Sequence, residues 1–265
     1  MLYGAMNFPI KPVLSEIEEI AELGFDYLEL AMDPPQAHYT TVQENKELIL
    51  KALDAYSMQL VCHLPTFVSI ADLTESIRKA SLTEMFKSLE VAAELNASKV
   101  VLHPGHIGGL GIFVMETALK YGLDSLAAII AKAEQLGLCV CLENMFPRTG
   151  SFFEPANFTE ILERFPRLKL TLDTGHANIG SPQSDQTLGF IKQFCHRIGH
   201  IHLSDNFGKK DDHLPLGEGT IDFYNIARSL KDFGYDDTIT LEIFAEDRCR
   251  LQSSKEDFAA MLAAV

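Results

Sequence analysis

The sequence predicts an α/β chain forming one domain over residues 1–265, a (β/α)8 barrel, and three observations carry that expectation. Eight short β-rich runs alternate with eight amphipathic stretches, no linker or shift in composition divides them, and 265 residues with 47% hydrophobic content suit one large buried core. The strand candidates are LYGAMNF (2–8), DYLELAM (26–32), QLVCHLP (59–65), KVVLHPG (99–105), CVCLENM (139–145), LKLTLDTGH (168–176), IGHIHLSDN (198–206) and TITLEIF (238–244). Between and after them lie LSEIEEIAELG, ENKELILKALDAYS, LTESIRKASLTEMFKSLEVAAELN, LDSLAAIIAKAEQLG, NFTEILERF, QTLGFIKQFCHR, FYNIARSLKDFG and SSKEDFAAMLAAV. Apolar residues recur in these at three- and four-residue spacing, and Gly or Asn closes several, as helix C-caps do. An open doubly wound sheet is the competing arrangement, but no G-x-G-x-x-G follows the first strand to support a nucleotide-binding version.

Bulk properties narrow the function. A net charge of −15 and a pI near 5.0 give no basic footprint for duplex DNA. This argues against a nucleic-acid partner, although bound cations would offset several carboxylates locally. The five cysteines (62, 139, 141, 195, 249) are scattered and odd in number, so they read as reduced residues of a cytoplasmic protein. Cys139 and Cys141 share a strand face, yet a lone C-x-C makes a poor zinc site. The start MLYGAMNFPIKP has neither a basic region nor a sustained apolar core, and no apolar run is long enough to span a membrane.

In such a barrel, active-site residues sit at the C-terminal ends of the strands. Here those ends give His63, His103, Glu143, Asp173 with His176, His202, and Glu242. One strand-end His alone is as readily a hydrogen-bonded core residue, and an Asp before Thr-Gly can simply cap a turn. Together they change the reading, because the barrel gathers all the strand ends around one axis and unpaired buried carboxylates are costly. Oxygen and nitrogen ligands without thiolate suit Zn, Mn or a similar divalent metal. His38, His106, His196 and His200 fall outside the pattern. His196 belongs to a helix end, His106 to the surface, and His200 to a layer below His202. Asp205 is expected to orient a neighbour or the following loop.

The motifs CHLP, LHPG, LENM, LDTGH, IHLSD, DDHLPLGEG and LEIF, in that order from residue 62 to 244, resemble the xylose isomerase-like TIM barrels. These comprise sugar and sugar-phosphate isomerases and epimerases together with the endonuclease IV branch of apurinic endonucleases (AP endonuclease family 2). The epimerase members imply one divalent metal held by Glu143, Asp173, His202 and Glu242. The implied chemistry is proton transfer next to a carbonyl, through an enediolate, with the two glutamates as acid and base. His176, with His63 and His103, would then contact substrate. The endonuclease branch implies up to three zinc ions, which adds His63, His103, His176, Asp211 and His213 as ligands and makes phosphodiester cleavage the reaction.

Against DNA cleavage, the loops DPPQAHYT and TFVSIADL after the second and third strands carry no Arg or Lys. A small phosphorylated sugar needs only one or two cations, which Lys209, Lys210 or Arg148 could supply. The expectation is therefore an isomerase or epimerase of a small sugar or sugar phosphate, with the trinuclear phosphoesterase as alternative. A non-catalytic metal- or sugar-binding barrel comes third, since simple binding does not need two strand-end glutamates. A homo-oligomer is compatible with all three, because barrels of this kind often associate through mouth loops.

The segment DDHLPLGEGTIDF (211–223) separates the first two readings. An extended backbone would point Asp211 and His213 the same way, Glu218 would bond local backbone, and Gly-Glu-Gly would turn the chain into a helix starting near Asp222.

Overall fold

Eight parallel strands close on themselves in chain order in the computed structural model, which describes residues 1–181 and 184–265. They are β1 (Leu2–Met6), β2 (Tyr27–Ala31), β3 (Gln59–His63), β4 (Val100–Leu102), β5 (Val140–Glu143), β6 (Lys169–Asp173), β7 (Ile198–Leu203) and β8 (Thr238–Leu241). Closure comes from β8 pairing with β1, Leu2 opposite Thr238 and Ala5 opposite Leu241. The barrel expectation holds, and it removes every sheet edge.

Each strand is shorter than its sequence run, because the chain must leave the ladder at the mouth. Thr174, Gly175 and His176, read as strand, already belong to a short helix α7 (Thr174–Asn178), which Asp173 caps by accepting the His176 N–H at 2.6 Å. The outer ring comprises α1 (Val13–Glu22), α2 (Tyr39–Glu44), α3 (Lys46–Ala55), α4 (Glu75–Glu94), α5 (Met115–Gln135), α6 (Ala156–Arg164), α8 (Asp185–Phe194), α9 (Phe223–Asp232) and α10 (Cys249–Ala264). The stretch read as one helix from residue 44 is preceded by α2 and broken at Asn45, whose side chain donates to the Thr41 carbonyl at 2.8 Å. Starts are also earlier than the apolar periodicity indicated, α5 at Met115 and α10 at Cys249.

The main core lies between strands and helices. Outward strand residues such as Leu28, Leu30, Leu170 and Ile201 meet helical Ile17, Ile49, Phe158, Phe190 and Phe258, all buried. In α9 the buried set Phe223, Ile226, Ala227 and Leu230 follows helical spacing, and each large apolar side chain so covered contributes roughly 1.5–3 kcal/mol. Inside the barrel the layers change character with height. Tyr27, Val61 and Val101 fill the floor, Glu29, His200 and Thr240 form a fully buried polar layer above, and the strand ends open into the mouth.

The floor has no slack at Gly4, where any side chain would run into the Tyr27 ring. Gly4→Ala is expected to lower unfolding stability by about 1–3 kcal/mol, the usual cost of overpacking, measured as a fall in the urea midpoint at unchanged m-value.

Candidate metal centre

Every strand-end residue singled out in the sequence reaches the barrel mouth. Glu143 and Asp173 end β5 and β6, His63 ends β3, His202 lies one residue before the end of β7, and His103 and Glu242 follow β4 and β8 directly. Four of them converge: one ligand atom each from Glu143, Asp173, His202 and Glu242 lies within 4.8 Å of the others. His202 Nδ1 sits 3.1 Å from Glu242 Oε2, 3.5 Å from Glu143 Oε1 and 3.6 Å from Asp173 Oδ2. A second group, His63, His103 and Glu143, meets the same closeness, with Glu143 Oε2 at 3.4 and 3.2 Å from the two Nε2 atoms.

A third grouping runs over the loop after β7. Asp211 Oδ2 is 3.1 Å from His176 Nε2 and 2.9 Å from His213 Nε2. The orientations are held from outside the cluster. His63 Nδ1 donates to the Leu64 carbonyl, His176 Nδ1 to the Asn144 carbonyl and His213 Nδ1 to the Glu242 carbonyl, at 2.8, 2.9 and 3.1 Å. Each ring thereby turns Nε2 inward, where it offers a lone pair once its proton is released. Asn144 also brackets the Asp173 backbone, accepting its N–H at 2.8 Å and donating to its carbonyl at 3.0 Å.

The loop that carries Asp211 and His213 is pinned by Asp205. Its carboxylate accepts backbone N–H bonds from Asn206, Gly217, Gly219 and Ile221 at 2.8 to 3.1 Å, and its backbone pairs with Leu214 in both directions. This is the loop-orienting role expected of it. Two details of the segment differ from expectation. His213 has φ +47, so the pair meets through a left-handed turn and not an extended strand, because the chain must reverse there to pair with Asp205. Glu218 is exposed and pairs with Arg250 of α10, leaving local backbone to Asp205. The helix start is as read, with Asp222 capping α9.

The remaining candidates stand apart. Arg148 and Lys209 are exposed, and no hydrogen bond or ion pair ties either to the cluster among the described residues; Lys209 instead borders a cleft of about 480 Å³ with Asn178, Phe207 and Thr220. Lys210 pairs with Asp212 at 2.6 Å. His38 caps α2 and meets Glu84, and His106 is exposed. The sequence reading missed Glu29. It lies in β2, fully buried, 3.0 Å from His202 Nε2 and 2.9 Å from His200 Nε2. An acid in the middle of YLELA, a strand buried throughout, was the available signal.

Carboxylates and imidazoles are crowded here, and several of their inward atoms lack hydrogen-bond partners among the described residues. Glu143 Oε2, Asp173 Oδ2, His202 Nδ1, Glu242 Oε2 and Asp211 Oδ1 are buried with no hydrogen-bond partner among the described residues. Buried polar atoms are nearly always satisfied, so orphans on Glu143, Asp173, His202 and Glu242, whose ligand atoms converge within 4.8 Å, fit a cation, and three carboxylates with an imidazole suit a divalent one. Titration shifts follow from the same crowding. Burial pushes the Glu143 carboxyl up, but His103 and His202 overcome it and hold the group well below the usual range. Burial raises Asp173, against the pull of His176 and His202. For the imidazoles burial opposes charge, yet facing carboxylates win: His63, beside Glu143, and His213, beside Glu242 and Asp211, are each raised to about 9.

The comparisons with known proteins agree with the barrel fold. The family model described as xylose isomerase-like TIM barrel matches residues 17–264, and the chain belongs to that family. It is 31% identical over 249 residues to the uncharacterized protein MJ1311 of Methanocaldococcus jannaschii, covering 91% of this chain and 83% of the relative. Fructoselysine 3-epimerase of Escherichia coli O157:H7 is 23% identical over 269 residues, covering 95% and 94%. Among solved structures, a D-tagatose 3-epimerase-like protein superposes with a TM-score of 0.89 at 30% identity, covering 100% of this chain and 98% of that one.

The raised imidazoles have a signed consequence for pH. A histidine whose folded value lies above its unfolded value near 6.5 contributes stability fully below about 6.5 and loses it as pH climbs through the folded value. Between pH 6.5 and 9 the metal-free protein is therefore expected to lose stability as His63 and His213 shed their protons, whereas zinc affinity is expected to rise because ligand and proton compete. Thermal melts with and without zinc across that range check both slopes.

Proposed function

We propose that this chain, folding as one domain over residues 1–265, is a divalent-metal-dependent epimerase or isomerase of a small sugar or sugar phosphate. The observation that carries the reading is the convergence of two glutamates, one aspartate and one histidine within 4.8 Å at the mouth, their inward atoms lacking other partners. Glu143, Asp173, His202 and Glu242 would hold the ion, Zn or Mn by donor type. When bound, it supplies Lewis-acid polarisation of a carbonyl and the neighbouring hydroxyl. A relative named for 3-epimerisation of fructoselysine and a close structural match described as D-tagatose 3-epimerase-like support the carbonyl-adjacent carbon as the reacting centre.

The chain's own residues then do the proton work. Glu143 and Glu242 come from β5 and β8, separated around the barrel by β6 and β7, so they approach a sugar in the mouth from different sides. One removes the proton from the carbon and the other returns it to the opposite face. His63, His103 and His176 line the remaining wall and can bond substrate hydroxyls. Lys209 and Arg148, exposed on the segments that follow β7 and β5, are the candidate partners of a phosphate.

One observation favours a second reading. The two further groupings, His63–His103–Glu143 and His176–Asp211–His213, extend the ligand set to what a trinuclear phosphoesterase would need. Elemental analysis of purified protein separates the two. About one tightly held divalent ion per chain is expected, and about three, together with cleavage of an abasic-site oligonucleotide, would replace the epimerase reading by the hydrolytic one. Glu143→Gln and Glu242→Gln are each expected to lower turnover by about 10²–10⁴-fold in folded protein. Full activity in either would contradict the two-glutamate scheme.

A further inference from the structure

We infer that Glu29, backed by His200, is a positioning residue that fixes how His202 presents its imidazole to the cation site, an assignment that rests on the proposed metal-dependent reading. Glu29 Oε1 lies 3.0 Å from His202 Nε2, and Oε2 lies 2.9 Å from His200 Nε2. An ionised carboxylate only accepts hydrogen bonds, so both Nε2 atoms carry the hydrogen. Nδ1 is thereby the nitrogen that His202 turns toward Glu242, Glu143 and Asp173, and the one whose lone pair a bound cation would take.

The line of hydrogen bonds continues toward the opposite end of the barrel. The Lys99 ammonium, a donor only, gives hydrogens to the Gly199 carbonyl at 2.6 Å, to Asp237 Oδ1 at 2.7 Å and to Thr238 Oγ1 at 3.0 Å. With Nε2–H of His200 given to Glu29 and burial holding that ring neutral, its Nδ1 accepts from the Thr238 hydroxyl at 2.7 Å. A single line of hydrogen bonds thus runs from Asp237 at the floor through Lys99, Thr238, His200 and Glu29 to His202 at the mouth. Filling the barrel centre needs none of this, since apolar residues of similar volume would do so without burying a carboxylate. What the polar line supplies is one orientation and one tautomer for His202, the service that a carboxylate behind a ligating histidine performs.

Glu29→Gln tests the role, because an amide offers one acceptor and one donor and cannot receive both Nε2–H groups. With far-UV circular dichroism unchanged, its zinc affinity, measured against a chromophoric chelator, is expected to fall about 10–100-fold. Wild-type affinity in the folded variant would overturn the assignment. A second readout needs no variant: imidazole ¹⁵N shifts of the zinc-loaded wild type should show hydrogen on His202 Nε2 and none on Nδ1, and the reverse would also overturn it. Asp173→Asn, which Glu29 does not touch, separates the two levels of the argument. If the wild type binds no zinc, or Asp173→Asn binds it unchanged, the metal reading itself falls and this one with it. If only Glu29→Gln is silent, the positioning role alone is wrong.

Discussion

The Glu143 carboxylate, buried at the end of β5, lies within reach of imidazole nitrogens from four histidines: His103 and His176 at 3.2 Å, His63 at 3.4 Å and His202 at 3.5 Å. Everything else at the mouth is arranged around that contact. Carboxylates from Asp173, Glu242 and Asp211 stand beside it, in a space where desolvation makes unbalanced charge expensive. Positive charge has to be present, and the histidines supply it as imidazolium when nothing else does, which is why burial fails to push His63, His176, His202 and His213 down. A divalent cation would take over the same duty and release those protons. Bound cation and retained protons would in this sense be two answers to one electrostatic requirement.

Such crowding persists only on a frame that cannot relax it away. The closed barrel fixes the strand ends with no edge to fray, and the supports lie at several depths: Asn144 clasping the Asp173 backbone, Asp205 gathering four backbone N–H groups of the loop that bears Asp211 and His213, and Glu29 behind His202. Each support is a carboxylate or amide whose hydrogen bonds hold the backbone or ring behind an inward-facing group. Asp205 and Glu29 are hydrogen-bonded through both carboxylate oxygens, whereas Glu143 Oε2, Asp173 Oδ2, His202 Nδ1 and Glu242 Oε2 at the mouth have no such partner among the described residues. That contrast is what a ligand-holding cavity would require.

Much of this was legible in the chain. Eight strand runs and the strand-end acids and imidazoles identify the barrel and its mouth, because placement at the C-terminal ends follows from topology and needs no knowledge of packing. The features that escaped depend on contacts between distant segments. Glu29 looks like any acid in a short strand until β7 is brought across the barrel to place His200 and His202 against it, 171 and 173 residues later. Strands buried on both faces lose the alternation that would have shown which way Glu29 points. The left-handed turn at His213 and the pairing of Glu218 with Arg250 likewise follow from tertiary contacts, the first with Asp205 and the second with α10. Lys209 and Arg148 mark the opposite limit. Their type suits a phosphate, but both lie exposed, where sequence and geometry alike leave the anion unnamed.

The central claim is that the two glutamates move a proton at a carbon next to a carbonyl. Solvent exchange reads this directly. A panel of ketoses and ketose phosphates, incubated with the zinc- or manganese-loaded protein in D₂O and followed by ¹H NMR, should show one substrate lose its signal at the carbonyl-adjacent carbon as deuterium enters. The epimer should appear alongside, and chelation should stop both. Absence of exchange across the panel, in protein that holds its metal and hydrolyses a phosphodiester, would contradict the account.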